Sequence, residues 1–229
     1  MDILFFLATT CFMVYRIRSV KDAGTDISLR QSLQDGTSLD AQERVCTVSP
    51  DNIPTKTGHL RQEMRLQNLW HRATYILVRH LDDTGDNDNI PRFIVQKRSM
   101  LKDYYPGRLD PTPGGVVGFG ESYQENAIRE IEEEMGIDVS PASAEKKNSI
   151  QSILQFSYED DRVRVWGQLY EAVYHGSIAN LKLQEEEVQE ILSVPMDDLQ
   201  RQIEESPENF LPDSLHAIQL YFAHQKTKR

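Results

Sequence analysis

Three closely spaced glutamates, Glu130, Glu133 and Glu134, carry the clearest chemical signal in this sequence. Residues three and four positions apart lie side by side on a helix, so these carboxylates would share one arc of its surface and repel one another. That arrangement predicts a bound cation, and carboxylate oxygens without nitrogen or sulfur ligands favour Mg²⁺ or Mn²⁺. Such an ion can activate water and neutralise the charge on a pyrophosphate as it breaks. The alternative is an acidic helix face that only contacts solvent.

The element that must position these glutamates is predicted as a helix over residues 123–135. Ser122 and Glu125 have the spacing of a capping box, which pairs the exposed amides at a helix start, and Gly136 is a natural helix end. At about 100° per residue, the apolar side chains fall on one stripe beside the acidic arc. This stripe predicts packing against a core and consists of Ala127, Ile128, Ile131 and Met135.

The glutamates belong to a longer pattern of fixed spacing, Gly-x5-Glu-x7-Arg-Glu-apolar-x-Glu-Glu-x-Gly-apolar. Every specified position is met, by Gly115, Glu121, Arg129, Glu130, Ile131, Glu133, Glu134, Gly136 and Ile137. The pattern resembles the signature box of the Nudix hydrolases. Because all its positions fall in one continuous window, it is far more specific than a short glycine motif.

The resemblance implies a fold of the α/β class, an α/β/α sandwich with a mixed β-sheet. It implies that Glu130, Glu133 and Glu134 are metal ligands and catalytic residues, and that the carbonyl of Gly115 is a further ligand. It also implies that Arg129 orients the acidic cluster during catalysis. Two further positions have structural roles in the motif: Glu121 holds the loop and Gly136 ends the helix.

Many Nudix enzymes complete the metal site with a glutamate outside the box, shortly before a strand that leads into an apolar-Pro-apolar-Asp turn. That turn resembles Val194-Pro195-Met196-Asp197 in this chain. Counting back from it favours Glu187 and then Glu186. A solvated acidic loop is the alternative for both residues.

Strands are predicted at residues 68–79, 92–97, 150–158 and 162–174, with the first two paired and the last two forming a hairpin. A short helix at 197–204 and a closing helix that ends near 224 follow. Basic residues in or after the first two strands are candidates for binding phosphate oxygens. The alternative for each is an ordinary surface charge, and the set comprises Arg72, Lys97, Arg98, Lys102 and Arg108.

Three short motifs, His71-Arg-Ala-Thr, Gln96-Lys-Arg-Ser and Pro106-Gly-x-Leu-Asp110, look like the Nudix branch near isopentenyl-diphosphate isomerase. That isomerase uses a cysteine at the position that Gly114 occupies here. The strand at 162–170 also has no glutamate where the isomerase requires one. The complete Arg-Glu-x-x-Glu-Glu spacing is typical of the hydrolases instead, so hydrolysis is favoured over isomerisation.

The chain has 229 residues, of which 39% are hydrophobic, and a net charge of −11. This predicts one domain with extensions and argues against a nucleic-acid partner, because nucleic acids require clustered basic residues. The two cysteines, Cys11 and Cys46, cannot form a disulfide framework, which fits a reducing compartment. Neither the oligomeric state nor the substrate's non-phosphate half is indicated by any pattern.

Three segments are predicted: an apolar targeting or anchor segment at residues 1–20, a polar disordered linker at 21–60, and the Nudix domain at 61–229. The apolar run at 3–15 is shorter than the ~20 residues that cross a bilayer, and basic residues follow it. It is interpreted as a short membrane anchor that keeps the domain on the cytoplasmic side, as a mitochondrial presequence, or as a surface strand or a doubtful start codon.

Together these features predict a Mg²⁺- or Mn²⁺-dependent hydrolase that cleaves a P–O–P linkage in a nucleoside diphosphate-X type or related small molecule. The alternatives are an isomerase-like enzyme and a module that binds a diphosphate without cleaving it.

Overall fold

A six-stranded mixed sheet organises the part of the chain that the computed structural model describes, residues 42–81, 90–102, 104–141 and 148–227. The strands within these ranges are β1 (Arg44–Val45), β2 (His59–Leu60), β3 (Trp70–Leu81), β4 (Arg92–Arg98), β5 (Leu109–Asp110), β6 (Ser149–Glu159), β7 (Arg164–His175) and β8 (Val188–Pro195). The α-helices are α1 (Arg61–Leu66), α2 (Tyr123–Met135), α3 (Met196–Glu205) and α4 (Pro212–Thr227). Two 3₁₀ turns lie at Ile178–Asn180 and Pro207–Asn209.

Strand β3 is the centre of the sheet. On one edge it pairs in parallel with β7 along its whole length, from Trp70 opposite Arg164 to Leu81 opposite His175. The other strand pairs are antiparallel, in the order β5-β4-β3-β7-β6, and β8 also pairs with β4. The predicted pairing of the first two long strands and the predicted hairpin are both confirmed.

Helices cover both faces of the sheet because successive strand residues point to opposite sides. Ile76 and Val78 of β3 pack against α2 on one face. Tyr75 and Leu77 pack on the other face, in a cluster that also contains residues of α3 and α4. The predicted α/β/α sandwich with a mixed sheet is therefore confirmed.

The second edge of β3 is only partly occupied by a strand. Antiparallel pairing with β4 is confined to three residue pairs, from Val78 opposite Ile94 to His80 opposite Arg92. Beyond that point β4 pairs with β5, and the loop at 113–117 lies beside β3 instead. The N–H of Thr74 donates to the carbonyl of Gly115 at 2.9 Å. The first glycine of the box is thus fixed to the central strand.

Residues 42–60 pack onto this loop, so the prediction of a linker through residue 60 is wrong for this part of the chain. Val45, Cys46 and Val48 are buried. The N–H of Cys46 donates to the carbonyl of Val117 at 2.8 Å, which adds an outer layer to the open edge. The reason is that the segment pairs through the two-residue strands β1 and β2 and through isolated bridges, which are too short to leave a strand period in the sequence.

The predicted apolar run at 3–15, Cys11 and the linker up to residue 41 lie outside the described residues. Within the described ranges, no helix is both long and apolar enough to cross a bilayer.

Candidate active site

Helix α2 has the boundaries predicted from its terminal residues. The hydroxyl of Ser122 accepts from the N–H of Glu125 at 3.2 Å, and the carboxylate of Glu125 accepts from the N–H of Ser122 at 2.8 Å. Gly136 ends the helix with φ of 69°, a left-handed conformation that glycine adopts without strain. Ile131 and Met135 are buried against the sheet, which fixes the direction of the glutamates.

A cavity of about 170 Å³ lies beside the open edge of β3. Four of the predicted metal ligands line it with their side chains, and Gly115 contributes to the wall. The acidic set is Glu130, Glu133, Glu134 and Glu187. Basic side chains share the same cavity: Arg61, Arg65, Arg98, Lys102 and Arg129. An anionic ligand and a cation could therefore be held side by side.

One guanidinium connects the box glutamates. Arg129 forms ion pairs with Glu121 at 2.9 Å, with Glu130 at 2.9 Å and with Glu133 at 2.8 Å. Because the three bonds use different nitrogen atoms of one rigid planar group, the position of each carboxylate constrains the other two. Arg129 therefore links Glu121 of the loop to Glu130 and Glu133 of the helix.

Glu121 joins the loop to the helix. Its carboxylate accepts from the N–H of Gly118 at 2.9 Å and from the side-chain amide of Asn126 at 3.0 Å, in addition to Arg129. Burial alone would raise the pKa of Glu121, but the hydrogen bonds from Arg129, Asn126 and Gly118 outweigh it and leave the pKa lowered. The carboxylate is thus held in its charged form.

Gly115 and Glu130 are in direct contact. A Cβ atom added at Gly115 would overlap the carboxylate of Glu130, so only glycine leaves room for this side chain. Burial raises the pKa of Glu130 to about 7, against the opposing positive charges of Arg129, Arg61 and Lys102. A cation bound at this carboxylate would lower that pKa.

Glu134 is the most deeply buried of the box glutamates, with 3% of its surface exposed. Its Oε2 atom has no hydrogen-bond partner among the described residues. Burial raises the pKa of Glu134, and the negative charges of Glu130 and Glu187 raise it further. A buried carboxylate oxygen in this situation fits a site for a hard cation.

The carboxylates share a cavity but are not gathered at one point. Within the described ranges, no three His, Cys, Asp or Glu side chains are arranged to hold a metal ion. Instead, Arg129 contacts Glu130 and Glu133, and Lys102 donates to the carboxylate of Glu187.

Of the consecutive glutamates before β8, Glu187 lines the cavity, whereas Glu186 is exposed and is not among the lining residues. The carbonyl of Glu187 accepts from the N–H of Ser99 at 2.9 Å, which ties this turn to the end of β4. The structure therefore places Glu187 in the cavity with the box glutamates and leaves Glu186 outside it.

The basic candidates divide into two groups. Arg98 and Lys102 line the cavity, and the Nε of Arg98 donates to the carbonyl of Tyr104 at 3.1 Å. The prediction that Lys97 lies at the site is wrong, because it is absent from the lining residues and adjacent strand residues face opposite sides.

The prediction for Arg72 is also wrong: its guanidinium donates to Asn52 at 2.8 Å and lies over the ring of Tyr123. Arg108 stacks on Tyr105 in the same way and does not line the cavity. An aromatic ring therefore covers one face of each of these guanidinium groups.

Two groups of lining residues were not predicted. Arg61 and Arg65 come from α1, where a spacing of four residues puts both on one face, and Arg61 pairs with Glu43 at 3.1 Å. The second group is uncharged or acidic and comes from three distant parts of the chain. Its members are Tyr75, Tyr104, Asp110, Thr112, Asp213 and Ser214. The spacing of four residues was the single sequence signal for Arg61 and Arg65. No sequence signal indicated the uncharged and acidic residues.

Comparisons with known proteins identify the family of this chain. The sequence model of the NUDIX domain matches residues 70–214. An uncharacterized Nudix hydrolase of Yersinia pestis is 41% identical over 161 residues, which cover 70% of this chain and 76% of that protein. The Nudix hydrolase YfcD of Escherichia coli K12 is 40% identical over 161 residues, covering 70% and 77%. A crystal structure from Deinococcus radiodurans shares the fold, with a TM-score of 0.60 and 20% identity over 77% of this chain and 98% of that one. The chain therefore belongs to the Nudix hydrolase family.

Proposed function

We propose that this enzyme is a Mg²⁺- or Mn²⁺-dependent pyrophosphohydrolase that cleaves the P–O–P linkage of a nucleoside diphosphate-X type or related small molecule. One observation carries the proposal: the carboxylates of Glu130, Glu134 and Glu187 line the same cavity as Arg61, Arg98 and Lys102. Metal-assisted hydrolysis of a diphosphate requires both sets, one for the cation and one for the phosphate oxygens.

The residues that would hold the metal are Glu130, Glu133, Glu134, Glu187 and the carbonyl of Gly115. This carbonyl accepts from the N–H of Thr74, and the Thr74 hydroxyl lies closer to Asn126, at 2.5 Å, than to Gly115, at 3.4 Å. A carbonyl oxygen has two lone pairs, so the Gly115 oxygen could accept from the Thr74 N–H and also bind a cation. When bound, the ion supplies Lewis-acid activation of water and neutralises the diphosphate.

The protein side chains perform the remaining steps. A glutamate of the helix cluster accepts the proton of the attacking water, and Arg129 keeps that cluster aligned. Lys102, Arg98 and Arg61 offset the negative charge that develops on the phosphate oxygens. Burial of Glu134, Lys102 and Arg98 limits the water around these groups and strengthens their interactions with the substrate.

Isomerase chemistry is a weaker candidate. Cys46 is packed against Val48 and Val117, and no cysteine is among the described residues that line the cavity. We propose that the chain is related to the branch near isopentenyl-diphosphate isomerase but does not catalyse the isomerase reaction. A diphosphate-binding module without turnover is the other alternative, and the same experiment separates it from the hydrolase.

The test is a substrate panel of nucleoside triphosphates, sugar nucleotides, dinucleotide cofactors and prenyl diphosphates, assayed with and without Mg²⁺ or Mn²⁺. We expect metal-dependent release of phosphate or a nucleoside monophosphate, and a loss of at least ~100-fold in the double variant Glu133→Gln/Glu134→Gln. Glu132→Gln is the matched control because Glu132 is exposed on the same helix and does not line the cavity.

A thermal shift measured with added Mg²⁺ supplies a second readout, and we expect the double variant to lose this shift. Turnover that persists in the double variant would contradict the proposed site. Binding without turnover across the panel would favour the binding module.

We further propose that residues 1–41 lie outside the catalytic domain, as a terminal apolar segment and a polar linker. Cell fractionation of the full chain beside a variant that starts at residue 42 tests whether the apolar run directs the protein to a membrane or to mitochondria. Identical distributions of the two proteins would exclude both roles.

A further inference from the structure

The cavity continues past the glutamates to a second group of polar side chains near α4, which we call the polar end. We propose that the polar end binds the non-phosphate half of the substrate through hydrogen bonds, and that this half carries hydroxyl or amine groups, as a sugar or polyol does. The inference rests on the proposed function and narrows its substrate class. The residues of the polar end are Tyr75, Tyr104, Asp110, Thr112, Asp213 and Ser214.

The polar end is a built and buried network. Asp213 accepts from the hydroxyl of Tyr75 at 2.8 Å and from that of Tyr104 at 3.3 Å. Asp110 accepts from the hydroxyl of Ser214 at 2.8 Å and from the N–H of Thr112 at 3.0 Å. All of these side chains are less than a tenth exposed, so the network is fixed before a ligand arrives.

Thr112 supplies the observation that points to a ligand. Only 1% of its surface is exposed, yet its hydroxyl lies in the cavity wall without a hydrogen-bond partner among the described residues. Buried hydroxyl groups are almost always hydrogen-bonded in folded proteins. A polar group of the substrate beside Thr112 would complete the missing bond.

The balance of donors and acceptors indicates what this group is. An ionised carboxylate has about four acceptor positions. Among the described residues, Asp213 accepts two hydrogen bonds, and Asp110 accepts two and also forms an ion pair with Arg98 at 3.8 Å. The wall therefore offers spare acceptors, which a ligand satisfies with O–H or N–H groups. A prenyl chain has neither and would leave the acceptors and Thr112 without partners, so it should be rejected.

Two adjacent residues of β3 connect the glutamates to the polar end of the cavity. Thr74 of β3 faces α2 and bonds to Asn126, whereas its neighbour Tyr75 faces α4 and bonds to Asp213. Both residues line the cavity at the place where β4 has left the edge of β3. A substrate could therefore span both ends, with its diphosphate at the glutamates and its polar group at Asp213.

The experiment compares a sugar nucleotide with a prenyl diphosphate in the wild-type enzyme and in Thr112→Val. We expect kcat/KM for the sugar nucleotide to exceed that for the prenyl diphosphate by at least ~100-fold. In Thr112→Val we expect KM for the sugar nucleotide to rise about tenfold while kcat changes less than about twofold, because a binding contact is lost without a change at the reacting atoms. Thr112→Ser keeps the hydroxyl and should restore KM.

Thr112→Val should fold as well as the wild type, since the hydroxyl it removes makes no internal hydrogen bond. Tyr158→Phe is the matched control: it removes a hydroxyl that donates to Asp160 outside the cavity, and it should leave KM unchanged.

Equal cleavage of the prenyl diphosphate, or an unchanged KM in Thr112→Val, would overturn this inference and leave the hydrolase intact. Absence of hydrolysis across the whole panel would overturn the proposed function instead. In that case calorimetric titration of the same sugar nucleotide into wild type and Thr112→Val still tests the polar end, since equal affinities would refute it.

Discussion

The two edges of β3 differ in how they are occupied. Along β7 the pairing is continuous over the whole strand, and a Cβ atom at Gly167 would overlap the rings of Phe156 and Tyr75. Along the opposite edge, strand pairing stops after three residue pairs and a loop takes over. The paired edge supplies rigidity and the open edge supplies the cavity. Substitutions on the first should therefore reduce stability, and substitutions on the second should reduce activity.

The largest expected effect is on the outer layer of the open edge. Deleting residues 1–60 removes the buried side chains of Val45, Cys46 and Val48, so we expect a loss of about 5 kcal/mol in the free energy of unfolding. Deleting residues 1–41 is the control and should leave stability and activity unchanged. Denaturant unfolding of both truncated proteins measures the difference. Equal stabilities would show that the domain begins after residue 60.

The difference between the two edges of β3 is tested most directly by substituting one glycine on each edge. Gly115→Ala places a methyl group in the space of the Glu130 carboxylate, so we expect kcat/KM to fall by about 100-fold with a modest loss of stability. Gly167→Ala would overlap Phe156 and should cost about 2 kcal/mol in unfolding free energy. Because the methyl group would also press on the ring of Tyr75, which belongs to the polar end, we expect kcat of the folded molecules to stay nearly unchanged and any loss of activity to appear in KM.

Steady-state kinetics and chemical denaturation of both glycine variants decide the matter. The distinction between the edges fails if the two substitutions reduce activity and stability in the same proportion.

A smaller effect is expected from the basic residues of the open edge. Lys102→Met removes the cation that contacts Glu187, and we expect kcat/KM to fall about tenfold. Lys97→Met is the matched control because Lys97 lies close in sequence but does not line the cavity. Kinetics at two ionic strengths measure both variants. A decrease in kcat/KM for Lys97→Met as large as that for Lys102→Met would show that Lys97 also acts at the site.

The smallest effect is expected at the end of α2. Gly136→Ala must adopt a left-handed conformation, which should cost about 1 kcal/mol of stability. Because Gly136 lies outside the cavity, kcat/KM of the folded protein should change little. Thermal unfolding together with an activity assay tests this. A loss of activity without a loss of stability would assign Gly136 a role beyond ending the helix.

The sequence was most informative where the signals are local. Ser122, Glu125 and Gly136 predicted the ends of α2 because the bonds that fix a helix terminus lie within a few residues of it. The position of Glu187 was predicted from its distance to the turn at Val194-Pro195, and the cavity contains it.

The sequence was least informative where the site depends on distant contacts. The bond between Tyr75 and Asp213 joins residues 138 positions apart, and no spacing rule anticipates it. Arg72 was wrongly assigned because the charge of a residue does not indicate which way it faces; Asn52 and Tyr123 determine that direction. Residues 42–60 were wrongly assigned because two-residue strands and isolated backbone bridges require no alternation of apolar residues.

If the proposed divalent ion binds at the box glutamates, the ion pairs of Arg129 affect how firmly it is retained. Two of the carboxylates assigned to that ion, Glu130 and Glu133, already have a positive partner in Arg129. An incoming ion must therefore compete with a guanidinium, and its affinity reflects the difference between two attractions. Such competition would favour a loosely held, exchangeable ion.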